Sequence, residues 1–238
     1  MKTIDQLNVK IFADGADLNS ILELYRNPSI SGFTTNPTLM RKSGVSDYER
    51  FARHVLEHIK DRPISFEVFS DEFDEMKRQA HKIATWGENV FVKIPVTNTR
   101  AESSVDLVKC LASEGVKLNV TALMTLDQVH RVSQALGSYA PSNISIFAGR
   151  VADTGYDPVP LMKEAVQIMA QYPTQELIWA SPRELLNIFH ADEIGCHIIT
   201  VTHDILKKLP IIGKDLEEYS LDTVKMFRND AIKAGFQL

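Results

Sequence analysis

The sequence predicts a single (β/α)8 barrel over residues 1–238, in which eight parallel strands alternate with helices, and three observations support it. A chain of this length suits one such barrel as a single domain. Short apolar, β-branched segments occur eight times, and an amphipathic, charge-bearing segment follows each of them. The strands are apolar throughout, as is typical of a parallel sheet that is covered on both faces.

The predicted elements alternate from one end of the chain to the other. The strands are expected at 9–14, 30–34, 64–69, 90–96, 116–123, 144–148, 177–180 and 197–202. The helices are expected at 18–25, 46–59, 71–86, 100–113, 126–136, 158–170, 182–191 and 202–209. A ninth helix, at 220–234 within a C-terminal segment of about 213–238, exceeds what a barrel requires. It is expected to close the base of the barrel or to pack on a neighbouring subunit.

Capping signals support several of these boundaries. Residues 46–49 (Ser-Asp-Tyr-Glu) match a capping box, and Ser181 precedes Pro182 at the expected first helical position. Gly115 and Gly195 stand just ahead of the fifth and eighth strands, where helix C-caps are expected.

Composition and charge exclude several classes of protein. The net charge is −5 and no run of Lys and Arg occurs, so nucleic acid is not an expected partner. The first residues lack the apolar core of a signal peptide, and no stretch of about 18 apolar residues could cross a bilayer. We therefore expect a cytoplasmic protein without a membrane partner. The two cysteines are far apart and indicate neither a disulfide framework nor a zinc ribbon.

Polar side chains cluster at the carboxyl ends of the predicted strands, which is where barrel enzymes place their chemistry. In chain order the candidates are Asp14, Asn36, Glu67, Lys93, Asn119, Thr121, Ser145, Arg150, Ser181 and Arg183.

Lys93 is the central candidate, because it is a single ammonium within the apolar run Val-Phe-Val-Lys-Ile-Pro-Val at 90–96. It would point into the barrel if it shares the parity of Phe91. Burial disfavours the charged form of an amine, and the neutral amine attacks a ketone to form an imine. The alternative is a lysine that extends out to solvent at a strand end. The carboxylates and amides on neighbouring strands favour the imine-forming lysine.

Three further residues supply functions that aldol chemistry requires. Asp14 is the candidate base for the proton of the C4 hydroxyl, and Glu67 with Thr121 would hold the water of imine formation. Glu67 could instead neutralise Lys93 in an ion pair, and Asp14, which precedes Gly15, could only shape a turn. Both alternatives stay open at this stage.

Arg150 and Arg183 follow the sixth and seventh strands, where barrels commonly bind phosphate. Ser181 precedes a predicted helix whose N-terminus would favour an anion. Two guanidiniums suit a phosphorylated sugar, although either arginine could be a surface ion-pair partner.

The sequence also contains one possible metal-binding motif. Residues 54–58 (His-Val-Leu-Glu-His) match a zinc pattern, but they lie on an outer helix, and a solvated face is the preferred interpretation. No nucleotide-binding motif is present, and neither a metal nor a cofactor is expected.

Together these residues resemble the transaldolase family, particularly the short form that includes the bacterial fructose-6-phosphate aldolases. The likeness covers essentially the whole chain. Its motifs are FADG at 12–15, GFTTNP at 32–37, EV at 67–68, VKIP at 92–95, NVT at 119–121, SIFAGR at 145–150 and ASPR at 180–183.

The resemblance implies a role for each of these residues. Lys93 would be the Schiff-base lysine, Asp14 the acid and base, and Glu67 with Thr121 the holders of the relay water. Asn36, Asn119 and Ser145 would hold substrate hydroxyls or position the lysine. The phosphate would be bound by Arg150, Ser181 and Arg183.

The resemblance also implies the reaction and the assembly. A Phe at position 147 goes with transaldolases and a Tyr with fructose-6-phosphate aldolases, so Phe147 favours transfer of a dihydroxyacetone unit between sugar phosphates. Related short-form proteins are pentamers or decamers with the C-terminal helix on a neighbour. The sequence departs from the family at Ile146, Ala148 and Pro182, which is expected to affect the pocket or the sugar accepted. A plain aldolase and a non-catalytic sugar-phosphate-binding barrel are the alternatives.

Overall fold

The computed structural model describes residues 2–237 and forms a closed barrel of eight parallel strands, paired in chain order from the first to the eighth. Pairing of the first strand with the eighth, from Lys10 opposite Ile198 to Asp14 opposite Thr202, closes the barrel. The strands are β1 (Lys10–Asp14), β2 (Ile30–Thr34), β3 (Ile64–Glu67), β4 (Val90–Pro95), β5 (Leu118–Leu123), β6 (Ser142–Ile146), β7 (Gln175–Trp179) and β8 (Ile198–Thr202). The predicted fold class is confirmed.

Helices lie between the strands and after the last of them. They are α1 (Leu18–Tyr25), α2 (Pro37–Lys42), α3 (Tyr48–His58), α4 (Phe73–Ala84), α5 (Val105–Ser113), α6 (Leu126–Leu136), α7 (Ala148–Asp153), α8 (Pro158–Met169), α9 (Leu186–Glu193), α10 (His203–Leu206) and α11 (Leu216–Ala234). The helices α1 and α6 begin and end where the sequence predicts. The short helices α2 and α7 were not predicted, and both follow the carboxyl end of a strand.

Several predicted helix starts are wrong. The helix predicted from 100 begins at Val105, and the one predicted from 220 begins at Leu216. Two other errors concern predicted caps. The cap of α3 is Asp47 rather than Ser46, because the Asp47 side chain accepts a hydrogen bond from the Arg50 amide at 3.0 Å. The helix after β7 begins at Leu186 rather than at Pro182. The predicted C-caps are confirmed, since Gly115 and Gly195 follow their helices with φ of 83° and 74°. Positive φ costs glycine less than any other residue.

The sixth predicted strand is too long at its carboxyl end. It ends at Ile146, because Phe147 has ψ of 63° and turns the chain into α7, whose first residue is Ala148. The turn matters for the site, since it brings the segment after β6 over the mouth of the barrel.

Side chains of alternate parity form an outer and an inner layer. Val92 and Ile94 are fully buried in the large cluster between the sheet and the helices. The inner layer contains Phe12 together with Ile178, and Gly32 leaves space for the Phe12 ring. A Cβ on that glycine would lie 2.5 Å from the Phe12 ring, so a side chain there would displace this ring from the barrel interior.

The last helix differs from the rest. None of the residues of α11 is buried, and Leu216 and Phe227 are 80% and 64% exposed. Within residues 2–237, no helix has the length and apolar character that a membrane span requires.

Candidate active site

A cavity of about 790 Å³ opens at the carboxyl end of the barrel. Nine of the ten strand-end candidates line it, together with Phe147. They are Asp14, Asn36, Glu67, Lys93, Thr121, Ser145, Arg150, Ser181 and Arg183. Residues that stand far apart in the chain therefore meet in one chamber, as parallel strands in a barrel require.

Lys93 lies inside the barrel and is 6% exposed. Its neighbours Val92 and Ile94 pack outward, so alternation along β4 turns the lysine inward. The Nζ atom donates to the Thr35 carbonyl oxygen at 2.9 Å and lies 3.3 Å from Glu67 Oε2. The interpretation of a lysine that extends to solvent is wrong.

Glu67 stands directly beside Lys93, because the two residues are register partners on β3 and β4. Their side chains form an ion pair that is almost wholly enclosed, with the carboxylate 17% exposed toward the cavity. Such a pair holds the amine in one position and gives it a nearby proton acceptor.

Thr121 completes this side of the chamber. Its hydroxyl is buried and has no hydrogen-bond partner among residues 2–237. A buried hydroxyl without a protein partner is a ready position for a water molecule or a substrate oxygen. Thr121 also lies next to Ala122, whose φ of 66° is unusual for a residue with a side chain. The pairing of β5 with β6 is irregular at this point, so local strain accompanies the site.

Asp14 ends β1 on the opposite side of the chamber and is half-buried. Burial raises the pKa of Asp14, and the Glu67 carboxylate adds to the rise, while the Lys93 ammonium and the hydrogen bond from Thr34 partly oppose it. The Thr34 hydroxyl donates to Asp14 Oδ1 at 2.8 Å. A carboxyl group whose pKa is raised holds a proton more strongly than an ordinary carboxyl group, which suits a group that takes a proton and later returns it. Its side chain lines the cavity and is not confined to the turn before Gly15.

Several lining residues were missed by sequence reasoning. The buried Thr34 and Thr200 hydroxyls touch each other beside Asp14, and the cavity is also lined by Lys42, Thr202 and Asp204. Thr34 and Thr200 lie in strands with the parity of the inner layer, which is the signal that could have identified them.

Asn119 is the one candidate that does not line the cavity. It is fully buried, accepts from the Ser145 hydroxyl at 2.7 Å and donates to the Ser65 hydroxyl at 3.0 Å. This chain of bonds links β3, β5 and β6 beneath the floor. Asn36 lines the cavity and also caps α2, since its Oδ1 accepts from the Leu39 amide at 2.9 Å.

The two arginines occupy different environments. Arg150 is exposed, stacks 5.6 Å from the centre of the Phe147 ring, and forms no ion pair with a carboxylate of residues 2–237. Arg183 donates from Nε to Asp153 at 2.9 Å and from a second nitrogen to the same carboxylate. That guanidinium holds the pKa of Asp153 below its usual range. Arg183 is therefore an ion-pair partner of Asp153 and also lines the cavity.

Ser181 does not cap a helix as predicted. Its φ is 60°, and the helix after it starts five residues later. Instead its carbonyl packs against Gly149 at the start of α7, where a Cβ would lie only 1.5 Å from the Ser181 oxygen. Glycine at 149 allows α7 and the loop after β7 to meet over the mouth of the barrel.

Two of the three departures from the family pattern leave the lining unchanged. Ile146 and Ala148 are fully buried in the outer core and do not line the cavity, whereas Pro182 does. Only the change at Pro182 bears directly on the pocket.

The His54, Glu57 and His58 side chains lie on the exposed face of α3, with donor atoms within 4.8 Å of one another. None of them lines the cavity at the mouth of the barrel. The motif is thus spatially separate from the strand-end cluster, as the sequence interpretation proposed.

Comparison with known proteins agrees with this geometry. Residues 11–238 match the family described as transaldolase/fructose-6-phosphate aldolase. A probable transaldolase of Dehalococcoides mccartyi is 32% identical over 90% of this chain and 97% of its own length. A probable transaldolase 2 of Listeria monocytogenes is 34% identical over 90% of this chain and 95% of its own length.

Among solved structures, a putative lyase/mutase from Burkholderia cenocepacia J2315 matches 97% of this chain and 85% of its own, with a TM-score of 0.62 and 12% identity. At that identity the likeness concerns the barrel fold alone. The family match and the curated relatives extend over nearly the whole chain. The protein therefore belongs to the transaldolase/fructose-6-phosphate aldolase family and is an enzyme of the transaldolase type.

Proposed function

We propose that the enzyme transfers a dihydroxyacetone unit from a ketose phosphate, such as fructose 6-phosphate, to an aldose phosphate through an imine on Lys93, without a cofactor. The observation that supports this most strongly is the enclosed Lys93 amine, which faces the cavity 3.3 Å from Glu67. An enclosed amine beside a proton acceptor suits nucleophilic attack on a ketone.

In the first step Glu67 takes a proton from the Lys93 ammonium of the ion pair, and the amine so formed attacks the C2 carbonyl of the ketose. The resulting carbinolamine loses water to form the imine, and Glu67 returns its proton to the departing hydroxyl. The unpartnered Thr121 hydroxyl would hold the water molecule.

In the second step Asp14 takes the proton of the C4 hydroxyl and the bond between C3 and C4 breaks. Its electron pair moves into the imine, which becomes an enamine on Lys93, and an aldose phosphate leaves. The raised pKa of Asp14 suits this transfer, because the same group then returns the proton when the enamine attacks the acceptor aldehyde. Water finally releases the new ketose from Lys93.

The phosphate would bind at the loops after β6 and β7. The free guanidinium of Arg150 is the principal candidate, with Ser181 and Arg183 beside it, the latter held by Asp153. Asn36 and Ser145 line the cavity and would hold substrate hydroxyls, and the buried position of Asn119 suits support of the floor.

Phe147 favours transfer over simple cleavage, because it offers no hydroxyl to the bound intermediate. Free dihydroxyacetone should therefore accumulate slowly when no acceptor aldehyde is supplied. Fast turnover without an acceptor would instead identify a plain aldolase.

Imine trapping tests the proposal directly. Borohydride added with fructose 6-phosphate should attach a three-carbon adduct to the wild type at Lys93, as located by peptide mass spectrometry. Lys93→Met, which keeps the buried volume, should remain unlabelled. Lys117→Met is the matched control, because that exposed amine donates only to the Glu88 carbonyl at 2.6 Å. Equal labelling of Lys93→Met would reject the proposed function.

We further propose that α11 packs on a neighbouring copy of the chain in a pentamer or decamer. Its apolar side chains at Leu216, Val224 and Phe227 share a helical face and are at least 58% exposed in the single chain. Sedimentation of the full-length protein should give a pentamer or decamer, and Val224→Asp with Phe227→Asp should shift it to smaller species. A monomeric wild type would reject this assembly.

A further inference from the structure

The hydrogen-bond ladder of the barrel is interrupted between β2 and β3. Their register pairs are Phe33 with Ile64 and Thr34 with Ser65. The last bond across this boundary runs from the Thr35 amide to the Ser65 carbonyl oxygen at 3.2 Å. After Thr35 the chain turns into α2, so β2 ends before β3 does.

Glu67 lies past the point where β2 ends, so its backbone has no residue of β2 to pair with. In a parallel ladder the amide and carbonyl of every second residue face the same neighbouring strand, so Glu67 turns both groups to the side on which Ser65 meets β2. In a continued ladder its amide would donate to the Thr35 carbonyl. That carbonyl accepts from Lys93 Nζ instead, at 2.9 Å. The Glu67 backbone needs another partner, because an unpaired enclosed amide is costly.

Tyr48, the first residue of α3, supplies that partner. Its hydroxyl accepts from the Glu67 amide and donates to the Glu67 carbonyl, each at 2.7 Å. Its ring packs edge-on against Phe66 and Phe69, with centroids at 6.4 and 5.6 Å, and lies 5.8 Å from Trp86. Burial raises the pKa of Tyr48, so the hydroxyl stays neutral and can donate and accept together.

We infer that Tyr48 is a positioning residue for the reaction: its hydroxyl holds the Glu67 backbone where β2 no longer pairs with it and leaves the Thr35 carbonyl to the Lys93 amine. Tyr48 does not line the catalytic cavity. A helix on the outside of the barrel thereby sets the placement of the carboxylate beside the amine. The inference rests on the proposed function of Lys93 and Glu67.

The test is Tyr48→Phe, which keeps the ring and removes the hydroxyl. The kcat of transfer and the rate at which the borohydride-trapped adduct forms should each fall about 10-fold or more, because small misplacements of reacting groups are costly. The KM values should stay close to those of the wild type, since no residue that contacts substrate is changed.

Two controls separate positioning from general stability. Tyr25→Phe removes a hydroxyl that donates to Asp61 at the same 2.7 Å on the protein surface, and kcat should not change. Trp86→Phe weakens packing around Tyr48 while keeping its hydroxyl, so it should lower the melting temperature and leave kcat near the wild-type value.

Each contrary outcome has a distinct meaning. A wild-type kcat in Tyr48→Phe, with the adduct still on Lys93, would overturn the positioning role and leave the proposed function in place. An equal loss of kcat in Trp86→Phe would also overturn it, since packing alone would then explain the effect. Absence of any adduct on Lys93 in the wild type would overturn the proposed function and the inference together.

Discussion

The two halves of the cavity hold their polar groups in different ways. On the side of β1 to β5, Lys93, Glu67 and Asp14 stand on strands and contact one another or buried hydroxyls. On the side of β6 and β7, Arg150 stands in the short helix α7 and Arg183 on the loop after β7, and both side chains are exposed. A side chain enclosed on a strand is held within a narrow range of positions, whereas an exposed side chain beyond the strand ends can adapt. The side of β1 to β5, called the rigid half, therefore suits the making and breaking of bonds. The side of β6 and β7, called the adaptable half, suits the binding of a charged group.

The largest expected effect comes from the rigid half. Lys93→Met should lower kcat by about 10⁴-fold or more, because removal of a covalent nucleophile leaves only the binding contribution. Transfer activity measured at saturating donor and acceptor checks this. If kcat falls by less than about 10-fold, Lys93 does not carry the covalent step, and the proposed division into a bond-making half and a binding half is wrong.

Asp14→Asn should lower kcat by about 10²- to 10³-fold, since a general base is removed while the amine remains. Borohydride trapping on Lys93 should still occur, which separates the step at C4 from imine formation. If trapping is lost as well, the assignment of Asp14 to the C4 proton is wrong.

The raised pKa of Asp14 also gives a pH prediction. Activity that needs the carboxylate as a base should fall as the pH falls through this raised value. The stability of the fold should change with pH in the opposite direction. Between the ordinary and the raised pKa of Asp14, the folded state binds more protons than the unfolded state. The free energy of unfolding therefore falls as the pH rises through that window. At a pH above the raised pKa, Asp14→Asn should raise the melting temperature relative to the wild type. This increase in melting temperature should become smaller as the pH is lowered. An unchanged melting temperature at alkaline pH would contradict the unfavourable burial of this carboxylate.

The adaptable half should show an effect on binding. Arg150→Ala should raise the KM for phosphorylated substrates about 10- to 100-fold, as expected for the loss of a charged hydrogen bond, with a smaller change in kcat. Arg183→Ala should have a weaker effect, because Asp153 already engages that guanidinium. An acceptor aldose without phosphate is the control, and its KM should not respond to Arg150→Ala.

The smallest expected effect is that of a chelator. Excess EDTA should leave transfer activity unchanged, because the proposed chemistry uses an amine and carboxylates on strands. The donor set at His54, Glu57 and His58 does not line the cavity. Loss of activity with EDTA and its recovery on adding zinc would reject the imine mechanism.

Much of the fold followed from sequence patterns that depend on local physics. The alternation of buried strands with amphipathic helices predicted the barrel, and α1 and α6 matched to the residue. The interior position of Lys93 followed from strand parity. The short helix α7 was missed, because six residues after a strand do not show a helical period. The cap at Asp47 was missed since two neighbouring residues could both serve.

The rigid and adaptable halves also differ in how far sequence reasoning reached. Lys93, Glu67, Thr121 and Asp14 could be placed at strand ends, because the period of a strand determines which side chains point inward. The pairing of Arg183 with Asp153 and the positive φ of Ser181 depend on how α7 packs against the loop after β7. No local pattern encodes such packing.

By itself, the sequence determined that this chain closes eight strands into a barrel and gathers an amine and two carboxylates at one end of it. Only the tertiary structure decided the partners of those groups. Tyr48 forms hydrogen bonds with the Glu67 backbone because β2 ends before it can pair with Glu67. The Thr35 carbonyl oxygen therefore accepts a hydrogen bond from Lys93 instead. Such choices arise from contacts between segments that are distant in the chain, where shape and hydrogen-bond saturation decide which group meets which.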